Sequence, residues 1–550
     1  MGLSRPDLPR PARRSPAPGP RPSRAFLSPE PEVRLTNAFA RPFDNAVATA
    51  RTCYSAGGIV TSEEVSGPAD ADAALKAEKA ARRDGLAQDL YQAGHHTTLQ
   101  HAHFQFALSN VSRHFIWSFL HSHPFYNSEQ VSQRYVKVKP GTYAVPPLKG
   151  DALEIYNATV EAQNEAYARL VVALTPRVGA EYFKRFPARG KSPDAWKRDI
   201  RKKAQEAARY ALPIATFAYL YHTVSGITLL RYYRACGVLD TPFEQRIVIE
   251  KMVAELLRLD PGYRAILEEP LAEEQTAEHR VMQGSVPAEG SRARFIAEFD
   301  ESLGGLTSKL IDFPGRNQET LAQSIREIFG LTPDLMADEE AIALALDPAR
   351  NSWLGETMNL TTHTKISRAL FHAHYTFRKR LSHTADSQNQ RHRMTPGSRP
   401  ILAAHHTGEP DYITPTVIAE EKEASAIYRG IMERSWEAIG RLRRSGVDDE
   451  MALYLLPNAV AVRFTESGDL LNLRHKMAMR LCYNAQEEIW LASLDETRQI
   501  CEVNPLIGRY LLPPCTLRKM ADARPICPEG RRYCGERVWT YDLANFERVI

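Results

Sequence analysis

The sequence predicts an α+β protein in which one kind of domain occurs twice. Three observations carry this. Each half mixes a few strand-like segments with long amphipathic helices. Several segments of the first half recur in the second, in the same order. A stretch rich in Glu, Ala, Gly and Pro, Pro261 to Ser302, separates the two like a connector.

Taken in order, residues 1–24 carry six Arg, one Asp and seven Pro and read as the core of a disordered basic tail set at 1–30. The first domain, 31–260, opens with a strand at Val33–Asn37, a turn at Arg41–Asp44 and a helix over Asn45–Tyr54. Long helices are expected at Lys76–Ala93, Ala152–Leu174, Pro193–Tyr210 and Pro242–Leu259. After the connector, 261–303, the second domain spans 304–500 and opens the same way: Ser308–Asp312, then Pro314–Asn317, then Glu319–Phe329. A helix is expected at Pro415–Arg444, and residues 501–550 form a Cys-containing extension.

Four matches support the duplication. Val33 aligns with Ser308, Val111-Ser-Arg with Ile366-Ser-Arg, and Gln133-Arg-Tyr with Gln390-Arg-His. Glu206…Leu-Pro213 aligns with Glu450…Leu-Pro457. The offsets are 275, 255, 257 and 244 residues, a drift that loop insertions produce. Each domain is then a small antiparallel or mixed sheet with long helices.

Composition narrows the class. Hydrophobic residues at 43% and charged residues at 25% suit a folded protein. Seventy Lys+Arg against 66 Asp+Glu is too even to imply nucleic acid. Ala211–Leu230 has no formally charged residue, but it holds Pro213, His222 and Gly226 between charged helices. It reads as a buried centre, not a bilayer span, and a cytoplasmic protein is expected. Seven cysteines, an odd number without a secretory signal, argue against a disulfide framework.

Residues Gly94 to Tyr135 carry the densest chemistry. Seven His lie between 95 and 123, without a spacing that singles out a metal set. With Ser132, Gln133, Arg134 and Tyr135 they suit an anionic, hydrogen-bonding ligand: Arg offers paired donors to phosphate, and amides and hydroxyls read a polar ring edge. In the tail, Cys515, Cys527 and Cys534 could ligate zinc with Cys501 or a His as fourth ligand. No Cys-x-x-Cys spacing supports them.

The chain resembles flavin-dependent thymidylate synthase. That family shows Gly-His-x-Ser/Thr-x-x-Glu-His, a Val-Ser-Arg strand, Arg-His-Arg and Ser-x-Arg-Tyr. The first half has Gly94-His95-x-Thr97-x-x-Gln100-His101, Val111-Ser112-Arg113, Leu120-His121-Ser122 and Ser132-Gln133-Arg134-Tyr135. The family's carboxyl-terminal signature, Leu-Arg-His-Phe-x-x-x-Arg and then Ala-x-x-Glu-Ile, is similar to Leu473-Arg-His-Lys-Met-Ala-Met-Arg480 and Ala485–Ile489.

The resemblance implies FAD as cofactor, NADPH and methylenetetrahydrofolate as co-substrates, and reductive methylation of dUMP to dTMP. It implies Arg480 as the arginine that activates the pyrimidine. It implies Ser132, Gln133, Arg134, Arg209 and Arg391 at dUMP, and His95, Thr97, His121, Glu129 and His475 at FAD. The departures are a first-half Arg-His-Arg reduced to its His, a blurred second-half counterpart at Arg378–His383, Cys236 at the activating position of the first half and Leu453 at the phosphate position of the second. Family members are homotetramers, so a homodimer of fused chains would make a pseudo-tetramer with each site assembled across both repeats. The alternative is a catalytically inactive nucleotide- or flavin-binding paralogue.

Overall fold

A computed structural model describes residues 25–548 except 69, 239 and 285–288. The basic segment 1–24 lies outside the described residues. The first half builds a four-stranded antiparallel sheet from β1 (Glu32–Ala38), β2 (His103–Ser112), β3 (Asn127–Gln130) and β4 (Phe217–Ser225), ordered β1-β2-β4-β3. The second builds a three-stranded antiparallel sheet from β5 (Ser308–Asp312), β6 (His374–Ser382) and β7 (Ala461–Asp469), in chain order. This is the expected α+β duplication.

The central strands show why each sheet forms. Phe104, Phe106 and Leu108 alternate inward along β2, as Tyr375 and Phe377 do along β6. The segments Leu99-Gln-His-Ala-His-Phe-Gln-Phe106 and Leu370-Phe-His-Ala-His-Tyr-Thr-Phe377 lead into them and match at an offset of 271. The pairing agrees: His103 faces Ser225 and His374 faces Asp469, and each of those partners caps the next helix, Gly226–Arg234 or Leu470–Arg480.

The structure corrects two of the four matches, the second of them Gln133–Tyr135 with Gln390–His392. Ile366-Ser-Arg368 belongs to a helical turn before β6 and is not the counterpart of Val111-Ser-Arg113. The equivalent of Ser112 is Ser382. Both serines end a strand, cap the following helix (Arg113–Leu120 or His383–Asn389) and donate to a buried glutamate. Ser112 reaches Glu244 through its amide at 2.7 Å and its hydroxyl at 2.6 Å; Ser382 makes the same pair of bonds to Glu488.

The halves meet around a pseudo-twofold axis at Pro213 and Pro457, which face each other in an isolated antiparallel bridge. The bonds Ile214 N to Leu456 O, Asn458 N to Leu212 O, Ala215 N to Tyr454 O and Ala459 N to Tyr210 O are exchanged across it. Tyr210 donates to Glu488 and Tyr454 to Glu244, both at 2.6 Å, so each half completes the other's serine–glutamate pair. The helices Gly150–Arg185 and Lys422–Arg444 pack together, and one apolar core runs through both halves. A second core belongs to the first half alone.

Three expectations about boundaries change. Residues 26–28, assigned to the tail, dock: Phe26 is buried against Phe243 and Tyr454, and Leu27 N donates to Val145 O. The connector carries the helix Glu289–Leu303, whose Asp300 pairs with Arg463 of β7. The helix Glu487–Val503 runs through the boundary at 500, and the extension buries Leu511, Cys515, Val538 and Phe546 in the shared core.

Candidate active site

The first half's Arg134 and Arg209 converge. Arg134 follows β3 on a short turn in which its own amide bonds Ser132 Oγ at 3.2 Å. Its guanidinium bonds Glu206 and, through Nη2, the carbonyl of Asn484 at 2.6 Å, so it already spans the two halves. Arg209 is buried one turn beyond Glu206. Its Nε reaches Glu206 O at 3.2 Å, while its Nη2 is buried without a hydrogen-bond partner. An orphan guanidinium donor costs free energy and marks a place for an acceptor. Burial drives the Arg209 pKa down, with Arg134 adding to the effect and Glu206 opposing it. Burial pushes Glu206 up, but Arg134 and Arg209 outweigh it and hold the carboxylate below its usual range. Gln133 is buried and accepts from Asn458 at 3.2 Å, so it is committed to the junction between halves.

The second half supplies Arg480, at the end of the helix Leu470–Arg480. Its Nε donates to His392 Nε2 and its Nη2 to Gln388 O, both at 2.8 Å. Burial lowers its pKa to about 10, with Arg391 and Arg134 adding to the shift. Accepting at Nε2 requires neutral His392, and burial beside Arg480 holds His392 well below its ordinary value. Arg391 is half-exposed and pairs with Glu129 of the first half at 3.3 Å.

The same positions in the opposite repeat are different. From Tyr210 and Tyr454 through Glu244 and Glu488 the two repeats keep a constant offset of 244, fixed by the cross-axis bonds above. Cys236 therefore occupies the place of Arg480, and it is fully buried. Leu453, also buried, occupies the place of Arg209. Glu450 occupies the place of Glu206 but bonds the Phe243 amide at 2.8 Å in place of an arginine. Burial pushes its pKa up to about 8. Arg231 and Arg234 do not stand in for Cys236: Arg231 approaches His96 at 3.1 Å and Arg234 pairs with Glu268.

Beside Arg134 opens a cleft of about 400 Å³. Eight basic side chains line it against three acidic ones, among them Arg185, Arg189, Lys203 and the tail's Arg531 and Arg532. Tyr182, Phe186 and Trp196 add aromatic faces. Such a wall selects an anion that carries an apolar ring.

Comparison with known proteins places the chain in a family. The family described as "Thymidylate synthase complementing protein" matches residues 34–262 and 309–506, more than half of the chain and once per repeat. The chain belongs to this family. A flavin-dependent thymidylate synthase of Clostridium tetani is 26% identical over 234 residues, covering 42% of this chain and 84% of that protein. One from Sulfurisphaera tokodaii is 30% identical over 154 residues, 27% of this chain and 59% of its own. One from Geobacter sulfurreducens is 29% identical over 171 residues, 30% and 70% respectively.

Against the family pattern, the corrected register changes one reading. Counted from Ser112 and Ser382, the place of His121-Ser122-His123 in the first repeat is taken in the second by Arg391-His392-Arg393, an unbroken Arg-His-Arg. The alignment of Gln390–His392 with Gln133–Tyr135, which set Arg391 at dUMP, is out of this register and hides the motif; Arg391 belongs to the Arg-His-Arg position instead. The Ala-His-aromatic-x-Phe repeat ahead of β2 and β6 is the signal that finds it. Arg378–His383, the stretch that looked blurred, is β6 and its junction. Arg393 stacks over Tyr126 and bonds Pro124 O at 3.1 Å, so this motif also reaches into the first repeat.

The five residues expected at FAD divide. Exposed His475 lies beside His392, with ring centroids 6.1 Å apart, and exposed Glu129 holds Arg391. His121 does not face an open site: its Nδ1 donates to Trp117 O at 2.7 Å and its Nε2 lies 3.4 Å from buried Asp386. Burial takes its pKa to about 4. His95 and Thr97 are exposed on the loop before β2, and among the described residues no hydrogen bond or ion pair joins them to Arg134 or Arg480.

The cysteines expected to bind metal also shift. Cys515, Cys527 and Cys534 line one small pocket together with Cys482, while Cys501 lies apart against Gly508. Among the described residues no group of three or more His, Cys, Asp or Glu stands ready to hold an ion as placed. No helix among the described residues is long and apolar enough to cross a membrane.

Proposed function

We propose that this chain is a flavin-dependent thymidylate synthase with one complete site per chain, assembled from both repeats. The observation that carries this is complementary retention. Arg134 and Arg209 come from the first repeat, Arg480 and Arg391-His392-Arg393 come from the second; Arg480 lies within electrostatic reach of Arg391 and Arg134, and Arg134 of Arg209. The substrate is dUMP. Its phosphate meets the orphan Nη2 of Arg209 and the guanidinium of Arg134, which exchanges part of its pairing with Glu206 and Asn484 for the ligand. Arg480, already fixed through His392 and Gln388, donates to the pyrimidine carbonyls and offsets negative charge that develops there. Its rigid fork holds the ring in one orientation.

The residues fit FAD: Arg391, Arg393 and His475 offer cationic and hydrogen-bonding groups for a diphosphate and ring edge. When bound, the flavin, reduced by NADPH, would supply the hydride that reduces to a methyl group the methylene unit passed from methylenetetrahydrofolate to C5 of the pyrimidine, with tetrahydrofolate released. This chain's residues bind, orient and stabilise charge. A homodimer would then carry two complete sites.

The test is equilibrium dialysis of dUMP with the purified chain, together with the flavin absorbance spectrum and deuterium release from 5-deuterated dUMP. One dUMP per chain, bound flavin and exchange are expected. Bound flavin and nucleotide with neither exchange nor turnover would replace this reading with that of an inactive paralogue.

A further inference from the structure

We propose that Cys482, Cys515, Cys527 and Cys534 form a tetrathiolate zinc site that fastens the carboxyl segment to the loop behind the candidate active site. All four side chains line one pocket, although they come from distant parts of the chain. Cys482 follows the helix that ends at Arg480, Cys515 starts the helix Pro514–Met520, and Cys527 and Cys534 lie on the irregular tail. Four thiols converging on one place is a donor set that soft, tetrahedral Zn²⁺ selects.

Burial disfavours the thiolates, and backbone amides act against it. Three of the four sulfurs are approached by backbone amides: Cys482 by Asn484, Cys515 by Thr516 and Cys534 by Glu536, the last at 3.4 Å. The bond at Cys534 depends on Gly535, whose φ of 97° turns the chain so that the amide two residues on meets the sulfur. A tetrathiolate zinc carries a net charge of −2, and cations stand around this one. Arg480 and Arg134 act electrostatically with Cys482, and Lys203 with Cys534. Binding replaces four S–H protons, released to solvent, with four S–Zn bonds. As placed, no group of three or more donors among the described residues stands ready to hold an ion, so binding has to draw the four sulfurs together.

The consequence is positional. Between Cys482 and the tail, Asn484 accepts from Arg134 and donates to the carbonyl of Arg532. A zinc here would fix the loop that holds Arg134 and the tail that walls the basic cleft.

The experiment is metal analysis of the full chain purified without chelators, with Co²⁺ exchanged in for spectroscopy. One zinc per chain is expected, and the cobalt form should show sulfur-to-metal charge transfer and the intense bands of tetrahedral coordination. Cys482→Ser and Cys515→Ser should lose at least about tenfold in metal retention, while Cys501→Ser and Cys53→Ser retain it. If a serine variant does not fold, the cobalt spectrum of the unmodified chain still decides. A zinc-free chain with four reactive thiols, or a Cys527–Cys534 disulfide, would overturn the proposal. Metal content is read independently of nucleotide binding and turnover, so failure here leaves the proposed activity standing.

Discussion

A single side chain separates the two repeats at the position proposed to hold the phosphate. Arg209 and Leu453 occupy equivalent buried positions, and only the arginine presents an unsatisfied donor. On the dUMP reading, Arg209→Ala should weaken dUMP by about 2–5 kcal/mol in a calorimetric titration, whereas Leu453→Ala should leave affinity unchanged. The glutamate pair extends the contrast. Glu206 faces arginines and stays ionised; Glu450, without one, has its pKa pushed up to about 8. A carboxyl whose folded pKa exceeds its unfolded value favours folding when protonated. Stability is therefore full below the unfolded pKa and is lost as pH rises through about 8. Glu450→Gln keeps the acceptor for the Phe243 amide and removes the ionisation. It should be neutral at pH near 5 and stabilising by a few kcal/mol near pH 9. Urea unfolding at the two pH values checks this, and an equal effect at both would refute it.

At the scale of strands and helices, one architecture holds two different interiors. Glu466 on β7 is buried with Lys379 at 2.5 Å, Lys476 and Arg399, and Glu496 shares both lysines. By sheet register and helix offset, the first repeat fills these places with His222, Leu108, Tyr232 and Met252, and Phe119 stacks among them at 4.6–4.9 Å. The charged set holds only while complete, since each carboxylate repays the desolvation of an ammonium. Burial pushes Glu466 up, but Lys379, Lys476 and Arg399 dominate and hold it far below the usual carboxylate range. Glu466→Gln should cost about 3–5 kcal/mol at neutral pH. The cost should shrink as acid protonates the wild-type carboxylate, which differential scanning at pH 7 and at low pH would show. This divergence also explains what the sequence let through. Strand periodicity and the strand–turn–helix openings were legible, as were Arg480, Arg209 and their missing partners, because offsets are constant there. Arg391-His392-Arg393 was hidden because Lys379 and Glu466 break the apolar pattern in the middle of β6 and β7, leaving Tyr375 and Phe377 to set the register. Ser382, bonded to Glu488, becomes recognisable only with its partner in place.

At the scale of the whole chain, duplication and decay fit together. The repeats share a core, exchange Tyr210 and Tyr454 across the axis, and bury Gln163 against Ser435 and Leu455 at 2.9 and 2.7 Å. Neither repeat can leave without exposing apolar surface and taking one hydrogen bond from a buried glutamate. Residues 25–303 and 304–548 expressed separately should therefore be insoluble or unfolded, and should recover structure only when produced together. Fusion also guarantees both partners in every molecule, so a position retained in one repeat can be lost from the other. The pattern is directional: Arg480 against Cys236, Arg209 against Leu453, and an arginine-paired Glu206 against Glu450. Restoring Cys236→Arg alone should add no turnover, because its companion positions are apolar or neutral, while Arg480→Ala should remove turnover with little effect on dUMP affinity. The decisive measurement is dUMP stoichiometry per chain in the parent and in both variants. One site per chain in all three fits a single assembled centre, and two in the parent would mean that the losses on the other side never closed it.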